Sequence, residues 1–225
     1  MSIKLAVFDI AGTTVADDHA VATAFRHAFE SYGYKDVSEE DVKPLMGYKK
    51  PIAIRMVLDK LGVDEDLTLI EDIHDEFVTE MMDHYEYSSE VKPMKQAENV
   101  FLQLKQKGIK IALNTGFSRD IADVILHRLQ WRERGLIDDY IASDEVEAGR
   151  PQPFMIQALM QRAGITDSKE VIKIGDTEVD VNEGRNAGCS LVIAVTTGAF
   201  TKEQLEKYHP DHIIDDLSQL PALIF

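Results

Sequence analysis

The sequence predicts an α/β protein, a doubly wound parallel sheet with a small helical domain inserted after the first strand. Short apolar runs bounded by turn residues recur along the chain, and helix-period segments separate them. That alternation implies βαβ units and a Rossmann-like core. It fails once, early in the chain, where only helical patterns occur, and that failure marks the insertion.

The strands are expected at Ile3–Phe8, Ile109–Leu113, Tyr140–Ala142, Val171–Ile174 and Leu191–Val195, each apolar enough to be buried on both faces. Helical patterns fill the gaps at Asn99–Lys107, Ser118–Leu129, Pro153–Ala163 and Asp180–Ala187. In the early interruption, Val21–Tyr32 is amphipathic and closes at Gly33. Ser38 followed by Glu39, Glu40 and Asp41 is an N-terminal capping signal. Pro51–Leu61 carries its proline in the first turn and stops before Gly62, and Leu67–Tyr85 is a longer acidic helix. The expected division is therefore 1–15 and 91–225 for the α/β core and 16–90 for the helical unit. Insertions after a strand end lie where such sheets bind ligands.

The 225 residues suffice for a core domain and a smaller companion. A formal charge of −16 argues against nucleic acid or an acidic membrane surface as partner, because the background field repels polyanions. A small anionic substrate stays possible wherever cations and backbone N–H groups cluster. Cys189 is the single cysteine, so no intramolecular disulfide can form, which fits a reducing compartment. No apolar run approaches the ~20 residues of a membrane helix. A strand beginning at Ile3 leaves no room for a signal peptide, and a cytoplasmic monomer or homodimer is expected.

The chemistry-bearing residues stand at strand ends. Asp9 ends the first strand before a Gly12-Thr13-Thr14 turn, where a carboxylate can attack phosphorus and loop N–H groups can hold phosphate oxygens. An aspartate capping the turn is the other reading. Asn114-Thr115-Gly116 ends the second strand and opens a helix, an anion site or an ordinary N-cap. Arg150 follows the third strand as a fixed cation for phosphate oxygens, or as a surface-loop arginine. Asp176 and Asp180 follow the fourth. Asp9 and Asp176, with the carbonyl of Ala11, could bind Mg2+ through hard oxygens with Asp180 in support, although helix capping explains each aspartate alone.

Their order, one motif at each successive strand end, resembles the haloacid dehalogenase superfamily over essentially the whole core. The helical insertion then resembles that superfamily's cap domain. Most phosphatases of the superfamily have a second aspartate two positions after the nucleophile, which protonates the departing alkoxide. Here that position is Ala11, which transfers no proton. A different leaving group removes the need for one.

One subgroup, the phosphonoacetaldehyde hydrolases or phosphonatases, is similar in detail. Its motifs read here as Ala11-Gly12-Thr13-Thr14, Thr115-Gly116-Phe117, Gly149-Arg150-Pro151-Gln152-Pro153 and Gly175-Asp176-Thr177-Glu178-Val179-Asp180, continuing to Glu183-Gly184-Arg185-Asn186-Ala187-Gly188. The resemblance implies a small phosphonate or phosphorylated substrate, catalysis by Asp9, Thr115, Arg150 and Asp180, and substrate contacts from Gly12, Thr13, Gly116 and Phe117. It also implies a cap segment at Met46-Gly47-Tyr48-Lys49-Lys50, with Lys50 forming a Schiff base with an aldehyde. Lys50 starts a helix before Pro51 and follows Lys49, and both features lower an amine's pKa. Alternatively, Lys49 and Lys50 only attract an anion. The subgroup's histidine after the lysine is Ala53 here, and His19 is a candidate substitute or a structural side chain. Two alternative chemistries are a phosphomonoesterase of the phosphoglycolate phosphatase kind and a metal-free dehalogenase, against which the Asp176/Asp180 pair argues. His209 and His212 are expected in a terminal loop.

Overall fold

Strands without polar interruption need cover on both faces, and β1 (Leu5–Asp9) receives it: all its residues are buried. Ala6 and Phe8 join one apolar cluster, while Leu5 and Val7 point the other way into a second. The computed structural model describes residues 2–17, 19–64 and 66–225.

Around β1 run β2 (Lys110–Thr115), β3 (Asp139–Ala142), β4 (Val171–Gly175), β5 (Leu191–Val195) and β6 (His212–Ile214) in the parallel order β3-β2-β1-β4-β5-β6. The expected doubly wound sheet is therefore present. The chain winds outward to β3 and then restarts at β4 on the other side of β1, a reversal that opens a crevice at the carboxyl ends of the strands. Register brings Asp9 level with Asn114, and Phe8 level with Ile174. The ends of β1, β2 and β4 thus meet.

The sixth strand corrects the expectation of five. At three residues, with an exposed His212, β6 has no apolar run to betray it, and its pairing with β5 defines it. His212 accordingly lies in a strand rather than a terminal loop.

Between β1 and β2 the named elements are all helical: α1 (Ala20–Ser31), α2 (Glu39–Val42), a short 3-10 turn, α3 (Lys50–Lys60), α4 (Leu67–Tyr87) and α5 (Ala97–Gln106). The Ser38 signal is realised as a capping box with Asp41, and Pro51 sits in the first turn of α3. In α4, Ile70, Ile73, Phe77, Met81 and Tyr85 form a buried stripe at helical spacing. Helix α4 packs on α1 and α3 and, across the fold, on α6 (Arg119–Leu129). The outgoing and returning chains pair: Ala16 N donates to Lys92 O at 3.1 Å and Met94 N to Thr14 O at 2.7 Å.

The remaining helices are α7 (Phe154–Ala163), α8 (Glu178–Asn186), α9 (Lys202–Glu206) and α10 (Pro221–Ile224). Among the described residues no helix is long and apolar enough to cross a membrane.

Candidate active site

A carboxylate at the end of a buried strand needs a counter-charge, and Asp9 finds it in Arg150, whose Nη2 lies 2.7 Å from Asp9 Oδ1. Arg150 is itself fully buried. Its Nη2 donates to the Asn114 carbonyl at 2.6 Å, its Nη1 lies 3.0 Å from Asp180 Oδ1, and its Nε lies 3.5 Å from Glu183 Oε2. A second buried cation completes the cluster. Lys173, in the middle of β4, stands 3.0 Å from Asp180 Oδ1 and 3.3 Å from Glu183 Oε2, and donates to Asn114 Oδ1 at 2.6 Å. Asp180 also accepts from Thr177 N and Oγ1, capping α8. Sequence reasoning passed over Lys173. Its signal was legible all the same: a lysine inside an apolar strand requires buried acids nearby.

Burial pushes the Asp9 carboxyl up to about 6, and Asp180 adds to the rise while Arg150 and Lys173 oppose it. Asp176 is driven well above the usual range by burial, then by Asp9 and Asp180. Burial also disfavours charge on Asp180, yet Arg150 and Lys173 hold it below the ordinary value.

Above Asp9 lies a small, partly open cavity. It gathers nine of the residues expected at the site: Asp9, Ala11, Met46, Gly47, Lys50, Thr115, Gly116, Phe117 and Asp176. Gly116 and Gly47 do more than line it. A Cβ on Gly116 would stand 2.5 Å from the Gly47 carbonyl, so the second-strand loop and the helical insertion meet backbone to backbone. Thr115 Oγ1 accepts from Phe117 N at 3.1 Å. Thr13 stands one step back, its hydroxyl donating to Asp176 Oδ1 at 3.1 Å, and Gly12 also packs against Asp176.

Four more expected residues lie outside the lining. Arg150 and Asp180 sit behind Asp9 in the ionic cluster. Lys49 packs against Gly149. His19 faces Glu39 at 3.1 Å and lines an outer pocket, open to solvent.

The Lys50 amine is 5.9 Å from the ring centre of Phe25 on α1, and 5.6 Å from those of Phe77 on α4 and Phe117 in the β2–α6 loop. Burial lowers its pKa to about 8, Arg150 lowers it too, and Asp9 and Asp17 oppose. The sequence predicts a lowering from the helix start and Lys49; burial among rings from separate elements leads it instead. Asp17, a residue sequence reasoning missed, lines both the inner cavity and the outer pocket.

Among the described residues no group of three or more His, Cys, Asp or Glu side chains is arranged to hold a metal ion. The expected set is smaller, the carboxylates of Asp9 and Asp176 and the Ala11 carbonyl. Its donors are hard oxygens, and Asp176 is braced by Thr13 and by Ala199 N at 2.7 Å. A cation near two buried carboxylates would offset the burial, and the repulsion from Asp9, that raise Asp176. These residues fit a Mg2+-class ion.

A strand-end carboxylate, a Thr-Gly loop and a buried amine share one cavity at the crevice of the sheet. Residues 6–195 match the model of the haloacid dehalogenase-like hydrolase family. The chain belongs to that family. Two phosphonoacetaldehyde hydrolases illustrate its similarity to curated proteins. One, from Bacillus mycoides, is 29% identical over 93% of this chain and 83% of its own length. Another, from Bacillus cereus, is 30% identical over 84% and 74%. Among solved structures, a phosphonoacetaldehyde hydrolase-like protein from Oleispira antarctica superposes with a TM-score of 0.85 at 21% identity, covering 100% of this chain and 92% of that one. A predicted phosphoglycolate phosphatase from Haemophilus somnus gives 0.80 at 18% identity, covering 99% and 98%. At these identities the structural likeness speaks for the fold. The family makes this chain a hydrolase.

Proposed function

We propose that this hydrolase releases phosphate from a small organophosphorus substrate through an aspartyl-phosphate on Asp9, and that the substrate is phosphonoacetaldehyde or a related aldehyde whose P–C bond is cleaved. Residues 16–90 act as the cap. The observation that carries the reading is Lys50: an amine buried among three phenyl rings, with a pKa lowered to about 8, in the same cavity as Asp9. An amine that loses its proton near neutrality is a competent carbonyl nucleophile.

Lys50 condenses with the aldehyde, expelling water and leaving an iminium. Asp9 then attacks phosphorus, and the electrons of the P–C bond move onto carbon and nitrogen to give a neutral enamine. Water hydrolyses the acyl phosphate, returning the Asp9 carboxylate and inorganic phosphate. Protonation of the enamine at carbon and hydrolysis of the resulting iminium free the aldehyde product and Lys50. No alkoxide departs, so Ala11 is no handicap in the P–C step. Thr115 and the N–H groups of the following loop hold phosphoryl oxygens, and Arg150 fixes Asp9 from behind. A Mg2+ held by Asp9, Asp176 and the Ala11 carbonyl would neutralise charge on the phosphoryl oxygens.

The competing reading is a phosphomonoesterase in which Lys50 only attracts an anion; an amine with a pKa of about 8 is still mostly protonated at pH 7, which favours it. Borohydride separates the two. Added with phosphonoacetaldehyde, it should inactivate the enzyme irreversibly and label Lys50, and Lys50→Arg should be inert because a guanidinium does not attack carbonyls. Substantial activity of Lys50→Arg toward phosphate esters, with no borohydride labelling of the wild type, overturns P–C cleavage.

A further inference from the structure

Imine formation at Lys50 needs a group that takes a proton from the ammonium and later delivers one to the departing hydroxyl. Around the cavity the titratable groups divide clearly. Asp9 faces Arg150, and Asp176 is held by Thr13 and Ala199. Tyr85 of α4 is buried, its phenol driven well above its usual range by burial and then by Asp17 and Asp9. His19 is turned to Glu39 across the outer pocket, where Lys43 also stands. Asp17 alone of these lines the inner cavity beside Lys50 without belonging to the phosphoryl half.

We propose that Asp17 is the proton-transfer carboxylate of the Lys50 half of the cavity. The inference rests on the Schiff-base reading above and extends it. Asp17 is placed by the first turn of α1, where its Oδ1 accepts from Val21 N at 3.2 Å. Met46, Ala199 and Asp17 line both the inner cavity and the outer pocket, so the carboxylate stands where the two spaces meet and water can reach it.

The step balances. The Asp17 carboxylate takes a proton from the Lys50 ammonium, and the free amine adds to the aldehyde carbon. Proton shift within the adduct gives a carbinolamine. The Asp17 carboxylic acid then protonates its hydroxyl, water leaves, and the iminium and the carboxylate remain. Burial raises the Asp17 pKa, opposed by the Val21 and Ala20 N–H groups and by Lys50 and His19, which brings it nearer the range where a carboxyl group both accepts and donates.

The sign of the electrostatics makes the test sharp. Asp17 raises the Lys50 pKa. Removing it as a mere charge would leave more free amine at pH 7 and would speed amine attack. Removing it as a proton donor would slow the reaction, by about 10²-fold for a general acid–base. The probe is phosphonoacetaldehyde with cyanoborohydride in excess, so that imine formation limits the labelling of Lys50, read by peptide mass. Asp17→Asn keeps the Oδ1 acceptor for Val21. Asp17→Ser, whose hydroxyl can also cap the helix, is the second variant. Both are expected to be labelled about 10²-fold more slowly than wild type at pH 7, with rate recovered in proportion to added formate. Labelling of the variants at the wild-type rate or faster overturns the role of Asp17 while leaving the Schiff base intact. Absence of labelling in wild type overturns the Schiff base and the role of Asp17 together.

Discussion

Replacing Lys50 by methionine should stabilise the protein while abolishing imine chemistry. The wild-type fold holds a charged amine among phenyl rings, and its pKa falls from the ordinary 10.5 to about 8. At about 1.36 kcal/mol per unit, the folded state at pH 7 bears a penalty of about 3 kcal/mol relative to a neutral side chain. The sign follows from linkage. The unfolded chain binds this proton more tightly, so the penalty is full below pH 8 and fades as pH rises towards 10.5. Methionine has a similar length, adapts to irregular apolar space and packs well on aromatic rings. Thermal unfolding of Lys50→Met at pH 7 should therefore occur about 6–12 °C above wild type, taking 2–4 °C per kcal/mol for a chain of this size. Urea titrations at pH 7 and 9.5 supply the decisive comparison, because linkage reduces the advantage to about half at the higher pH. A variant less stable than wild type at pH 7, or an advantage indifferent to pH, refutes the claim that burial sets the state of this amine.

Other consequences concern the core. Lys173→Met leaves Asp180 and Glu183 with Arg150 as their remaining close cation and should cost about 3–5 kcal/mol in urea denaturation. Adding Glu183→Gln should recover at least about 1 kcal/mol of that loss, and strict additivity would show that the two charges do not interact. Asp9→Asn should abolish phosphate release while the protein still folds cooperatively, since Oδ1 can still accept from Arg150; residual turnover would remove Asp9 from the chemistry. EDTA should eliminate activity and added Mg2+ restore it, and full activity in the chelator would exclude a metal role for Asp9 and Asp176.

Local signals in the sequence determined most of the framework. Among the described residues, apolar runs located five of the six strands, and helical periodicity with capping and proline positions located α1 to α8, while α9 and α10 are too short to show a period; the motifs after four strand ends pointed to one crevice. These readings succeed because strand burial and helix termini depend on neighbouring residues in the chain. The three-residue β6, lacking an apolar run, depends on its partner and stayed hidden. The tertiary structure decided what each side chain faces. It put Arg150 behind Asp9, joined Lys173 to Asp180 and Glu183, and brought Phe25, Phe77 and Phe117 from separate elements around Lys50. It also distinguished Asp17 from the many other acids of an acidic chain by opening it onto the cavity. Desolvation and pairing of charge depend on residues far apart in sequence, so the local pattern gave the direction of the Lys50 shift but not its leading cause, and gave no sign of Asp17.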